Sequence, residues 1–134
     1  MNTRKAPRNP RPRVLLVDGD TFFRMSLKKA LVEKGFEVRT AYDGVEGVEL
    51  LLNDSPFSIV ISHQDLSRMD GISFLSAAST FSHEITTVLL LEADSFEPVL
   101  SNEISLFLKK PFDEDQWVRD IESTFSGEMN LEAI

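Results

Sequence analysis

Cysteine is absent from this 134-residue chain. Disulfides, thiolate metal sites and a cysteine nucleophile are therefore excluded, while the compartment is left open. No apolar run approaches the length of a membrane span, so no membrane contact is expected. The basic first residues are followed only by Val14-Leu15-Leu16-Val17, too short for the apolar core of a signal peptide, and the expected location is the cytoplasm. Basic residues are scarce beyond the N-terminus. Five of the 14 (Arg4, Lys5, Arg8, Arg11, Arg13) lie in the first 13 positions, and the other nine face all 22 acids, a net of −13. Such an acidic body repels nucleic acid, which is not an expected partner. No phosphate-cradling glycine loop and no nucleophile–base pair appears, which argues against an independent enzyme.

What is present suits one folded domain: 42% hydrophobic and 27% charged residues in a chain of ordinary domain length. Residues 1–11 read as a flexible basic arm interrupted by Pro7 and Pro10, residues 12–126 as the folded unit, and 127–134 as a tail. The arm has two readings, a solubilising terminus or a segment that touches phosphates or an acidic partner. From Arg13 onward two patterns alternate. Val-, Ile- and Leu-rich runs at 13–17, 36–40, 57–62, 86–91 and 104–108 predict strands. Helical stripes occupy 21–34 (Phe23, Leu27, Ala30, Leu31), 44–53 (Val45, Val48, Leu51, Leu52), 71–81 (Ile72, Leu75, Ala78) and 113–125 (Trp117, Ile121, Phe125). Asp43 with Glu46, and Asp113 with Gln116, have the spacing of capping boxes, and Gly35 and Gly127 sit where helices end in a left-handed residue. Between the fourth and fifth strands, Pro98 leaves room for only a short helix.

Near-continuous apolar strands alternating with helices predict a parallel, doubly wound α/β sheet. Sites in such sheets form beyond the carboxyl ends of the strands. Those ends read Asp18-Gly19-Asp20, then His63, then Glu92, then Lys109-Lys110-Pro111. Each residue alone could be a helix cap or a solvated loop residue; together they mark a present or ancestral site.

The stretches RVLLVDGDTFFR, AYDGVEGVELL, FSIVISHQDLSRMDGISFL and FLKKPF give the chain a specific character. Over about residues 12–126 it resembles the receiver domain of two-component response regulators. The resemblance implies a flavodoxin-like (βα)5 fold with strand order 2-1-3-4-5. It also implies a mechanism in which an acidic pair binds Mg²⁺, an aspartate ending the third strand accepts a phosphoryl group from a histidine kinase, and a hydroxyl residue, an aromatic and a lysine respond. Position by position this sequence departs from that pattern. Asp18 matches the first acid, but Gly19 replaces the second. His63 stands at the acceptor position, Glu92 replaces the hydroxyl residue, Phe107 takes the aromatic place, Lys110 is retained, and Ser67 replaces the usual loop proline. The segment from Glu92 to Lys110 is shorter than typical, which implies a truncated fourth helix.

The expectation is an atypical receiver, a pseudo-receiver without the phosphoacceptor aspartate. The Mg²⁺ site is expected to be lost, because that ion wants several oxygen ligands, and no cofactor is expected. An ion pair between Glu92 and Lys110 is expected, with His63 between Asp18 and Glu92, either charged in an internally neutralised pocket or neutral and capping a loop. Three other readings stay open: a Zn²⁺ or Ni²⁺ site of His63, Asp18 and Glu92; phosphorylation of His63 itself; and a displaced acceptor, Asp20 or Asp65. Asp20 reads first as a helix cap, Asp65 as a solvated loop residue, and Asp70-Gly71 as a cap followed by a close chain approach. Expected partners are signalling proteins, a histidine kinase or an output protein, met without phosphorylation; a homodimer stays open. The family's usual output surface places Leu106, Phe107, Lys109 and the outer side of 113–125 at such a contact.

Overall fold

The computed structural model describes residues 11–82, 84–95 and 104–127. Its elements follow the expected alternation: β1 (Arg13–Val17), α1 (Thr21–Glu33), β2 (Glu37–Ala41), α2 (Gly44–Asp54), β3 (Ile59–His63), α3 (Gly71–Ser79), β4 (Thr86–Leu91), β5 (Leu106–Lys109) and α4 (Glu114–Ser126). The strands form one parallel sheet in the order β2-β1-β3-β4-β5. The short helix expected after Pro98 falls outside the described residues. Among the described residues no helix is long and apolar enough to cross a membrane.

The two-residue period of a strand divides the core. Val14 and Leu16, Ile59 and Ile61, Val88 and Leu90, and Leu108 face α1 and α4, where Leu27, Leu31, Trp117 and Ile121 close the layer. Leu15 and Val17, Val60, Leu89 and Leu91 face α2 and α3, against Leu51, Phe74 and Leu75. With both faces covered, the central strands β1, β3 and β4 have no solvent side and read as continuous apolar runs, while edge strand β2 alternates exposed Glu37 and Arg39 with buried Val38 and Ala41.

Aspartates start all four described helices. Asp20, Asp43, Asp70 and Asp113 accept the backbone N–H of Phe23, Glu46, Ser73 and Gln116 respectively. The reciprocal half of each expected capping box is made differently. Glu46 reaches the N–H of Tyr42 instead of that of Asp43, and Gln116 turns to Asp120. Gly127 takes the left-handed conformation at φ 71°, and Gly35, just past α1, has φ 100°.

Candidate functional site

The same two-residue alternation builds the site. Asp18 lies two residues after Leu16, His63 two after Ile61, Glu92 two after Leu90, and Lys110 two after Leu108. All four therefore continue the rows that face α1 and α4, at the carboxyl edge of the sheet. The ladder carries them there: Asp18 N–H bonds Ala41 O, and Lys110 N–H bonds Leu91 O. Phe107 has the opposite parity and packs into the α2–α3 layer, half-buried.

Glu92 is the hub of the cluster. Its Oε2 lies 2.7 Å from His63 Nε2 and 3.1 Å from Lys110 Nζ. The ion pair expected between Glu92 and Lys110 is thus present, and the carboxylate also spans to β3. The lysine's hydrogen bond, and then that of the histidine, hold the Glu92 carboxyl below the usual carboxylate range.

His63 is 5% exposed, and both of its ring nitrogens are engaged. Nδ1 accepts the Asp65 backbone N–H at 3.0 Å. A nitrogen that accepts cannot carry a proton, so the proton sits on Nε2 and is donated to Glu92. The hydrogen bonds therefore fix a neutral tautomer, and the ring caps the β3–α3 loop while also contacting the carboxylate. Of the two readings of this histidine, the geometry selects the neutral one.

Asp18 is 3% exposed. Its Oδ1 accepts the Asp20 N–H at 2.9 Å, while Oδ2 is buried without a hydrogen-bond partner among the described residues. Burial raises its pKa, against the lowering effects of the Asp20 N–H and Lys110. Arg24 secures the same turn by donating to Asp18 O at 2.6 Å. Gly19 is exposed, and a Cβ there would meet only Tyr42 O, at 3.5 Å. Asp20 is exposed and caps α1, and Asp65 is exposed in the loop after His63.

That loop is tied down at several points. Gln64 accepts from Ile72 N–H through its side chain and from Gly71 N–H through its carbonyl. Arg68, with φ 71°, reaches across to the Asp43 carboxylate at 2.7 Å. Gly71 has no substitute: an added Cβ would lie 2.2 Å from His63 O.

The donor set does not fit Mg²⁺. Asp18 supplies one carboxylate, Gly19 supplies none, and His63 presents nitrogens that are already occupied. Nor does the set fit Zn²⁺ or Ni²⁺, for the same reason at His63. Among the described residues no group of three or more His, Asp or Glu side chains is placed to hold a metal ion.

Reading residues by type missed Phe23, Arg24 and Arg68. Phe23 was legible only as a member of a core stripe, yet its ring lies 4.6 Å below Lys110 Nζ. No spacing rule joins residues so far apart in the chain.

The family model for the response regulator receiver domain matches residues 14–122. The chain belongs to the response regulator receiver domain family. Over 83 residues this receiver domain is 31% identical to response regulator MprA of Mycobacterium ulcerans, a match covering 62% of this chain and 35% of that protein. The chain thus spans little more than a third of the length of the curated relatives it matches. Among solved structures it is similar to the signal receiver domain of an HD domain-containing protein from Pseudomonas fluorescens Pf-5, with TM-score 0.78 and 24% identity over 87% of this chain and 96% of that one. It is also similar to chemotaxis response regulator CheY4 of Vibrio cholerae, with TM-score 0.74 and 23% identity over 85% of this chain and 98% of that one. These two likenesses establish the fold alone.

Proposed function

We propose that this receiver domain is a pseudo-receiver, which acts through phosphorylation-independent protein–protein interaction. The carrying observation is that Glu92 Oε2 already serves both His63 and Lys110. A phosphoryl group at this sheet edge would need a nucleophilic carboxylate, charge compensation and a free lysine. Here the acceptor position holds a neutral, buried histidine, the second acid is a glycine, and the lysine has an anion of its own. The protein is a binding module and not an enzyme, with no Mg²⁺ requirement. Its partner is a signalling protein, a histidine kinase or an output protein.

An amide NMR titration with Mg²⁺ and beryllofluoride, a mimic of aspartyl phosphate, tests this. The expected result is no change at residues 18–20, 63–67, 92–94 and 107–111. A saturable change there overturns the proposal and returns Asp20 or Asp65 to consideration as acceptor. The triple variant Gly19→Asp, His63→Asp, Glu92→Thr supplies the positive control, since the backbone at Gly19 has room for a side chain. Its saturable response would show that the pocket residues, not the scaffold, silence the wild type.

A further inference from the structure

We propose that this domain transmits the state of the Glu92 ion pair to helix α4 through Lys110, Phe23 and Trp117, and not through Phe107. The proposal rests on the reading of Glu92 as the permanent anion of Lys110.

Lys110 has two partners. Its Nζ donates to Glu92 and lies over the face of the Phe23 ring, 4.6 Å from the centroid. A cation over an aromatic face is attracted by the ring quadrupole, and the position of the ammonium is set jointly by ring and carboxylate. Phe23 is in turn one corner of a three-ring cluster. It meets Phe112 edge-on at 5.4 Å and Trp117 at 5.8 Å, and those two meet at 5.1 Å. The cluster joins α1, the segment after Lys110 and the first turns of α4. Trp117 is buried, so a shift of Phe23 must be absorbed by its neighbours instead of by solvent.

Phe107 is excluded by strand parity. It faces the α2–α3 layer, while Lys110, Phe23 and Trp117 share the opposite one. Movement of the lysine is therefore felt first by the aromatic cluster. Coupling is reciprocal. A partner that moves α4 or the start of α1 would alter how firmly Lys110 holds Glu92, and through Glu92 the His63 ring and the β3–α3 loop.

Trp117 is the only tryptophan in the chain, so indole fluorescence and the indole N–H resonance report on it alone. The test is a double-mutant cycle in the full chain. Glu92→Gln removes the anion and keeps the shape; it is expected to shift both Trp117 signals and the His63 ring nitrogens. In a Phe23→Leu background, Glu92→Gln should still move His63 but leave Trp117 unmoved. In a Phe107→Leu background the Trp117 shift should persist. The relay is overturned if Glu92→Gln leaves Trp117 unchanged in the wild-type background. It is also overturned if the shift survives undiminished with Phe23→Leu, which would mean that the rings only pack, or if Phe107→Leu abolishes it. A saturable beryllofluoride response alongside intact coupling would sink the reading of the pocket and spare the relay. Silence toward beryllofluoride with a Trp117 that never moves would do the reverse.

Discussion

Arg13 and Glu92 hold opposite ends of the same sheet, each through one charged side chain. At the amino edge, Arg13 opens β1 and donates to the carbonyls of Asp54 and Pro56, to the Asp54 carboxylate and to Glu37, while its guanidinium lies over the Phe57 ring. At the carboxyl edge, Glu92 follows β4 and accepts from His63 and Lys110. The difference lies in the partners. Arg13 satisfies backbone carbonyls of the turn between α2 and β3, which need donors whatever the solution conditions. Glu92 is served by two ionisable side chains, so its bonds depend on which protons are present and what else competes. One hub closes the fold; the other occupies the site.

The largest effect in this comparison should come from the amino edge. Arg13→Ala removes two hydrogen bonds to carbonyls and two ion-pair contacts at once, and is expected to cost about 2–3 kcal/mol. Arg13→Lys keeps the charge but lacks the planar fork that reaches several acceptors, so it should recover only part of that loss. Urea midpoints at neutral pH measure both. If Arg13→Ala costs less than the equivalent change at Glu92, the assignment of structural weight to the amino edge is wrong.

The two edges also differ in how far the sequence announced them. The elements were legible because burial on both faces leaves unbroken apolar runs in the three central strands, and because Asp20, Asp43, Asp70 and Asp113 stand where helices need an acceptor. The site was legible as a set of strand ends, and the Glu92–Lys110 pair followed from the strand order that the family resemblance implies, in which the two residues end adjacent strands. Three features were not legible. The choice of the neutral, loop-capping His63 over the charged one, both open in the sequence, depends on the Asp65 N–H, a backbone group with no signature in side-chain identity. The left-handed Arg68 is held by a contact with Asp43, 25 residues away in the chain. Arg13 was legible only as the first residue of a strand, and only the packing of the turn against β1 makes it a hub. Each depends on tertiary neighbours that local pattern does not encode.

A smaller effect is expected at Glu92. Its side chain is 44% exposed, so solvent screens both contacts, and Glu92→Gln should cost about 0.5–1 kcal/mol at neutral pH. The sign of the pH dependence follows from its lowered pKa. The carboxylate is favoured in the folded state, so its contribution is full above the ordinary carboxylate range and is lost as the pH falls through the folded-state value. Wild type and Glu92→Gln should therefore converge in stability on acidification. Urea midpoints that stay separated by a constant amount down to the acid limit would show that shape, not charge, holds this edge together.

The smallest effect, and the one of opposite sign, belongs to Asp18 in the same pocket. Burial raises its pKa, so the folded state favours the protonated acid. Its contribution is present below the ordinary carboxylate range and is lost as the pH rises through the raised value. Asp18→Asn keeps an acceptor for the Asp20 N–H and abolishes this loss. The variant should match or slightly trail the wild type in acid and exceed it at neutral pH, by less than about 1 kcal/mol, because Lys110 partly offsets the burial of the charge. Two carboxylates of one site thus run in opposite directions on acidification. Glu92 loses because the Lys110 and His63 hydrogen bonds favour its charged form, and Asp18 gains because burial disfavours its charged form, with Oδ2 lacking a hydrogen-bond partner among the described residues. Urea midpoints for both variants across the acid range decide this. If Asp18→Asn instead destabilises at neutral pH and the gap closes in acid, the Asp18 carboxylate is held by Lys110 more strongly than burial opposes it, and the pocket is built around two anions instead of one.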